Sequence, residues 1–148
     1  MINSMSAILE LAASKTKKAD KVKVLQENNH TALRIMVALA LNPYVEWDLP
    51  EGEILFKPNP IEIDQESVLY NEMRKFYLYL KPNHVYREYN GRLTQEKKKQ
   101  LLIQLLEQVD KRDAAMILAA TQKKLHVKLG KDVIEEAFPG LLTWGKPE

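Results

Sequence analysis

Four prolines within 18 residues, Pro43, Pro50, Pro58 and Pro60, with Gly52 among them, forbid a continuous helix across residues 43–64. On either side, apolar residues recur with the helical period. Met5, Ile8, Leu9 and Ala12 share one face of a first helix, with Asn3 or Ser4 in the capping position. A polar break at 14–18 leads into a second helix with Val22 and Leu25 on its apolar side. Thr31 suits the N-cap of a third, whose stripe is Leu33, Met36, Val37, Ala40 and Leu41. Asn42-Pro43 ends it, because the residue before proline resists the helical region. Further on, Leu69, Met73, Phe76, Tyr77 and Leu80 predict a helix stopped by Lys81-Pro82, and Asn90-Gly91 predicts a turn. Thr94 caps a helix bearing Leu101, Leu102, Leu105, Leu106 and Val109, and Asp113 caps the next, over 114–124. A last helix near 132–137 runs into Phe138-Pro139-Gly140. The proline-rich stretch holds Tyr44, Trp47, Ile54 and Phe56, so it reads as an ordered strap across the helices rather than a linker. The expectation is one all-α domain over 1–148, a compact bundle of about six to seven helices with one extended strap at 43–64.

Several kinds of chemistry are excluded by what the chain lacks. Among 148 residues there is no cysteine, hence no disulfide framework, thiolate zinc site or cysteine nucleophile. No apolar run approaches the ~20 residues of a membrane span. The first residues carry no basic region ahead of an apolar stretch, so a cytoplasmic protein is expected. His30, His84 and His126 are far apart and read as surface or turn residues, so no metal or other cofactor is expected. Gly130-Lys131 lacks the earlier glycine and the following Ser/Thr of a phosphate-binding P-loop. Glu135-Glu136 and the pair Asp110 and Asp113 read as helix surface and cap, and Trp47, Phe56, Phe76, Tyr77 and Phe138 as core rather than base-stacking platforms. No nucleophile, base and anion hole come together, and the chain reads as non-enzymatic, with no catalytic residue.

The net charge of +2 conceals an uneven distribution: +2 over residues 1–47, −5 over 48–70 and +5 over 71–148. An acidic strap thus masks a basic helical body. Lys97, Lys98 and Lys99 read as a solvated face, since adjacent residues on a helix point to different sides. Two other clusters sit where helices begin. Ser14, Lys15, Thr16, Lys17 and Lys18, with Lys21 and Lys23 beyond, surround the start of the second helix. Lys123, Lys124, Lys128 and Lys131 form a run without an acid that contains His126, and Gly130 stands ahead of the last helix. Free amides and the positive dipole end favour phosphate at such places, and a glycine lets a nucleic-acid backbone approach.

Two stretches resemble a known family. Ile8 to Ser14, Lys17 to Leu25, Gln26-Glu27-Asn28, and then Leu33 and Val37 to Leu41 resemble the opening of T-even phage ATP-dependent DNA ligases. Lys123-Lys124-Leu125, Gly130, Val133-Ile134 and Ala137-Phe138-Pro139-Gly140-Leu141-Leu142 resemble the segment closing the N-terminal DNA-binding domain of those ligases. The middle, with Leu49-Pro50-Glu51-Gly52 and residues 70–80, is similar to small proteins of T-even-like marine phages that share these ends. The resemblance implies an all-helical domain that grips duplex DNA around a nick through its backbone, with Ser14, Lys15, Thr16, Lys17 and Lys18 at one phosphate-contacting break. Lys123, Lys124, Gly130 and Lys131 would lie at the other, with Lys128 between them. It also implies a phage protein in the host cytoplasm. The chain departs from the ligases where they are catalytic: Lys18-Ala19-Asp20 is followed by Lys21 rather than the glycine of the nucleophile motif. Where the ligases carry Arg-Asp-Leu, this chain has Lys123-Lys124-Leu125 followed by His126 and Val127. The leading expectation is a non-catalytic, sequence-independent DNA-binding protein. A protein-interaction module is the alternative, with Trp47, Asp48, Glu51 and Glu53 of the strap engaging a basic phage or host partner.

Overall fold

A computed structural model describes residues 5–57, 76, 79–81, 94–109 and 111–143. These contain six α-helices, α1 (Met5–Ser14), α2 (Lys18–Glu27), α3 (Thr31–Leu41), α4 (Gln95–Gln108), α5 (Lys111–Thr121) and α6 (Lys131–Ala137), and a 3-10 turn over Leu141–Thr143. There is no strand among the described residues beyond one isolated bridge, so the fold is all-α, as expected. The Asn3/Ser4 cap, the strap over 58–64, the turn at Asn90-Gly91 and Asp110 lie outside the described residues, as does most of the helix expected around 69–80.

The helices form because each carries one apolar stripe, and they pack by burying it. Met5, Ile8, Leu9 and Ala12 of α1, Val22 and Leu25 of α2, and Leu33, Met36, Val37 and Ala40 of α3 are all buried. So are Leu102, Leu105 and Leu106 of α4, Ala114, Met116, Ile117 and Ala120 of α5, and Val133 and Ile134 of α6. These side chains belong to one core cluster. α5 is its hub, touching α1, α3 and α4; α2 bridges α1 and α6; and the 3-10 turn rests on α3 and α6. The alanines of α5 permit this, since their small side chains let three helices approach one axis.

Two helix starts differ from the sequence reading. α3 begins one residue earlier than a Thr31 cap implies: His30 is the N-cap, with no side-chain cap, and Thr31 Oγ1 instead accepts from Arg34 Nη2 at 3.2 Å. Asp113 stands inside the first turn of α5 rather than before it. Its buried carboxylate reaches α1, accepting from Ser6 N at 3.2 Å and Ser6 Oγ at 2.5 Å. One carboxylate therefore serves the positive ends of two helices. Thr94 caps α4 as expected, accepting from Lys97 N at 3.1 Å.

The described part of the strap is ordered by its backbone. Trp47 pairs with Leu80 in an antiparallel bridge, flanked by Asp48 N to Tyr79 O at 2.8 Å and Lys81 N to Glu46 O at 2.9 Å. Trp47 stacks on Tyr79 with centroids 6.5 Å apart and meets Phe76 edge-on at 6.3 Å. At the root of the strap, buried Asn42 receives Tyr44 N on its side-chain oxygen at 2.8 Å and donates to Leu141 O at 3.0 Å. The end of α3 is thereby tied to the 3-10 turn.

Candidate nucleic-acid interface

The polar break before α2 and the loop before α6 are far apart in sequence and adjacent in space. Their packing brings the first residue of α2 against the first turns of α6. Lys18 Nζ lies 3.3 Å from Asp132 Oδ2 and 3.3 Å from Glu136 Oε2, the two acids standing one helical turn apart on α6. The hydrogen bonds that Lys18 donates to Glu136 and then to Asp132 hold its ammonium above its ordinary pKa. Asp132 is correspondingly held below the usual carboxylate range, by Lys18 first and by the backbone amide of Val133 next.

In the segments that this contact joins, Lys15, Thr16 and Lys17 before α2 are exposed, as are Lys124 and Lys128 before α6 and Lys131 at its start. None of the five lysines carries an ion pair among the described residues. Ser14 is exposed and ends α1, with its hydroxyl donating to Leu11 O at 2.6 Å. Lys17 is the N-cap of α2 and provides no side-chain cap. Gly130 has a different reason from the one read in sequence. A Cβ there would collide with Asp132 Oδ1, so the space beside this glycine is filled by the protein's own carboxylate rather than left for a nucleic-acid backbone.

Lys123 is exposed as a residue like its neighbours, but its ammonium is turned inward. The end of α5 forms a Schellman motif, with Lys124 N bonded to Ala119 O at 3.1 Å and Lys123 N to Ala120 O at 2.9 Å. That motif puts Lys123 in the left-handed region usually held by glycine, at φ 60°. From there its ammonium enters the C-terminal end of α3, donating to Leu39 O at 3.0 Å, Asn42 O at 2.8 Å and Val45 O at 2.8 Å. All three of its protons are used, and Trp47 Nε1 also donates to Leu39 O at 3.2 Å. Burial pushes the Lys123 pKa down to about 8, with Glu46 opposing, so the group stays charged at neutral pH. It caps a helix and is not available to a phosphate. Next to it opens a cleft of about 540 Å³ whose wall includes Trp47, Lys81 and Lys131.

The acidic strap is partly consumed as well. Asp48 pairs with Lys98 and accepts from Gln95 Nε2 at 2.9 Å, while Lys98 also donates to Leu80 O at 2.9 Å. Lys98 is completely buried and Asp48 only 16 % exposed in its side chain. Burial favours the neutral acid, but the hydrogen bonds from Lys98 and Gln95 and the nearby lysine charges together hold the Asp48 carboxyl below its ordinary pKa. Trp47 packs against the core. Of the four strap residues offered to a partner, Glu51 and Glu53 are exposed, while Trp47 and Asp48 are engaged internally.

The Lys98 pair corrects the reading of residues 97–99 as a solvated face. The signal for it was present, since Lys98, Leu102, Leu105 and Val109 fall in one helical stripe. His126 also differs from a surface histidine: its side chain is 13 % exposed and Nε2 lies 3.6 Å from Glu10 Oε1. Burial lowers its pKa, and Glu10 opposes the shift. No group of three or more potential metal ligands exists among the described residues, nor any helix long and apolar enough to cross a membrane.

Fold and surface together define a small all-helical domain with lysine-bearing loops beside paired helix starts. The chain belongs to a family of unknown function, DUF6433, whose model matches residues 8–127. No curated protein and no solved structure matches it.

Proposed function

We propose that this is a non-catalytic, sequence-independent DNA-binding protein of a phage, accessory to DNA replication, repair or end processing. The observation that carries the reading is the Lys18–Asp132 contact. It joins the break bearing exposed Lys15 and Lys17 to the helix that begins at exposed Lys131 and follows the loop bearing exposed Lys124 and Lys128. The resemblance of both ends of the chain to the DNA-binding domain of phage ligases supports the same reading. In it, the lysines neutralise backbone phosphates and release counterions, and no base edge is read. Lys123 is dropped from the phosphate-contacting set because its protons are bound to carbonyls.

Fluorescence anisotropy on nicked duplex, intact duplex and single strand, each over a salt series, tests it. With ~5 phosphates neutralised, the log–log salt slope on duplex is about −4 to −5. Absence of binding, or a flat salt response, overturns the reading. The partner-module alternative retains Glu51 and Glu53 but loses Asp48 and Trp47 to internal contacts, and no observation favours it.

A further inference from the structure

Lys18, which joins the two lysine-bearing segments at the seam between α2 and α6, is itself already neutralised. Lys18 begins α2, and both acids that reach it come from α6, the neighbouring helix. Asp132 and Glu136 are four residues apart, so a single face of α6 presents both carboxylates to one ammonium. Flanking this trio are Lys15 and Lys17 in the loop before α2 and Lys131 immediately before Asp132. A polyanion following the lysines across the seam meets two negative charges at its middle.

We propose that Asp132 and Glu136 form an autoinhibitory counter-anion, holding Lys18 in the free protein and yielding it to a phosphodiester when DNA binds. The inference rests on the DNA-binding reading and adds its regulation. Exposure of the three side chains, 50 % for Lys18, 67 % for Asp132 and 59 % for Glu136, makes the exchange feasible. Ion pairs this open are individually weak and screened by salt, so they can be broken without unfolding either helix. A phosphate entering beside the two carboxylates is repelled unless they move aside or are neutralised, so the acids set a threshold on affinity. Their hold on Lys18 is also felt in its raised pKa. Asp132 has a second task at the start of α6, to which the Val133 amide donates, and asparagine at that position keeps an acceptor for it.

The test compares the full chain with Asp132→Asn/Glu136→Gln, alone and combined with Lys18→Met, on the same fluorescent duplex across a salt series. An exposed-acid control, Asp20→Asn/Glu51→Gln, changes the net charge equally. The expected result is an affinity gain of about three- to tenfold for Asp132→Asn/Glu136→Gln, the range set by two exposed pairs. Its salt slope steepens by about 1, one further phosphate. The gain disappears when Lys18 is methionine and exceeds that of the control. Thermal melts of all variants establish that they fold. An unchanged affinity, a gain that persists with Lys18→Met, or a gain no larger than the control overturns the autoinhibition while leaving the DNA-binding reading intact. If neither the parent nor the Asp132→Asn/Glu136→Gln variant binds at low salt, both fall together.

Discussion

Lys123 shows how a residue's chemistry can be read correctly and its direction wrongly. A lysine in a basic run beside a helix start is a fair phosphate ligand by type, but the backbone at this position is left-handed, which turns its ammonium onto the carbonyls of Leu39, Asn42 and Val45, at the end of α3 and the start of the strap. Two opposing contributions can be separated by substitution. Lys123→Ala keeps the unfavourable φ and removes the cap, for an expected loss of about 2 kcal/mol, the scale of charged hydrogen bonds at a partly buried helix end. Lys123→Gly removes the cap but adopts the left-handed region freely, and urea denaturation should find it about 1 kcal/mol more stable than Lys123→Ala. Equal stabilities for the two would refute the backbone contribution. Lys98 and Asp48 make the complementary case. Lys98→Met leaves a carboxylate 16 % exposed with Gln95 to donate to it and the charge of Lys81 nearby, but without its paired ammonium. The expected cost is about 3 kcal/mol, at the lower end for breaking a buried pair. The pair also gives the fold an acid limb. Because the Asp48 pKa is depressed in the folded state, its contribution is complete above the unfolded value of 3.8 and is lost as pH falls through the folded one. Asp48→Asn should therefore show a shallower loss of stability below about pH 4 than the parent in acid titrations followed by circular dichroism.

At the scale of elements, the sequence was informative wherever a stripe or a cap is local. The buried positions of α1, α3 and α4 follow from a period of 3.6, and Thr94 was recognisable as a cap because its acceptor serves an amide only three residues away. Connections between elements were not legible. Nothing near Asp113 in the chain says that its carboxylate serves Ser6, more than a hundred residues earlier, since that contact depends on α1 packing against α5. The same holds for the proposed interface: the two lysine-bearing breaks could be recognised separately, but the contact between them, made by acids of α6, comes from α2 lying on α6. The Asp113 contact is testable at this scale. Asp113→Ala removes the carboxylate that accepts from Ser6 N and Oγ and should cost about 2 kcal/mol. Hydrogen exchange should report it as faster exchange at the first turn of α1, with Asp113→Asn, which keeps an oxygen acceptor, milder. Unaltered protection in Asp113→Ala would mean that α1 is held by its apolar face alone.

For the whole molecule, the decisive property is how charge is distributed rather than its sum. A net charge of +2 is too small to draw a polyanion from a distance, so any hold on DNA has to come from local density. Helix packing joins the segment bearing the lysines before α2 to the one bearing those before α6, and in the proposed reading these two distant parts of the chain form one footprint. If a single DNA segment covers that footprint, each group contributes separately to the salt slope. Lys15→Glu/Lys17→Glu and Lys124→Glu/Lys131→Glu should each flatten the slope on duplex DNA by about 2, without regard to sequence. The four together should bring binding close to the limit of detection. Lys97→Glu/Lys99→Glu, on α4, should leave the slope unchanged. Equal flattening by the α4 pair would show that DNA responds to total charge, and the seam between α2 and α6 would then lose its special standing.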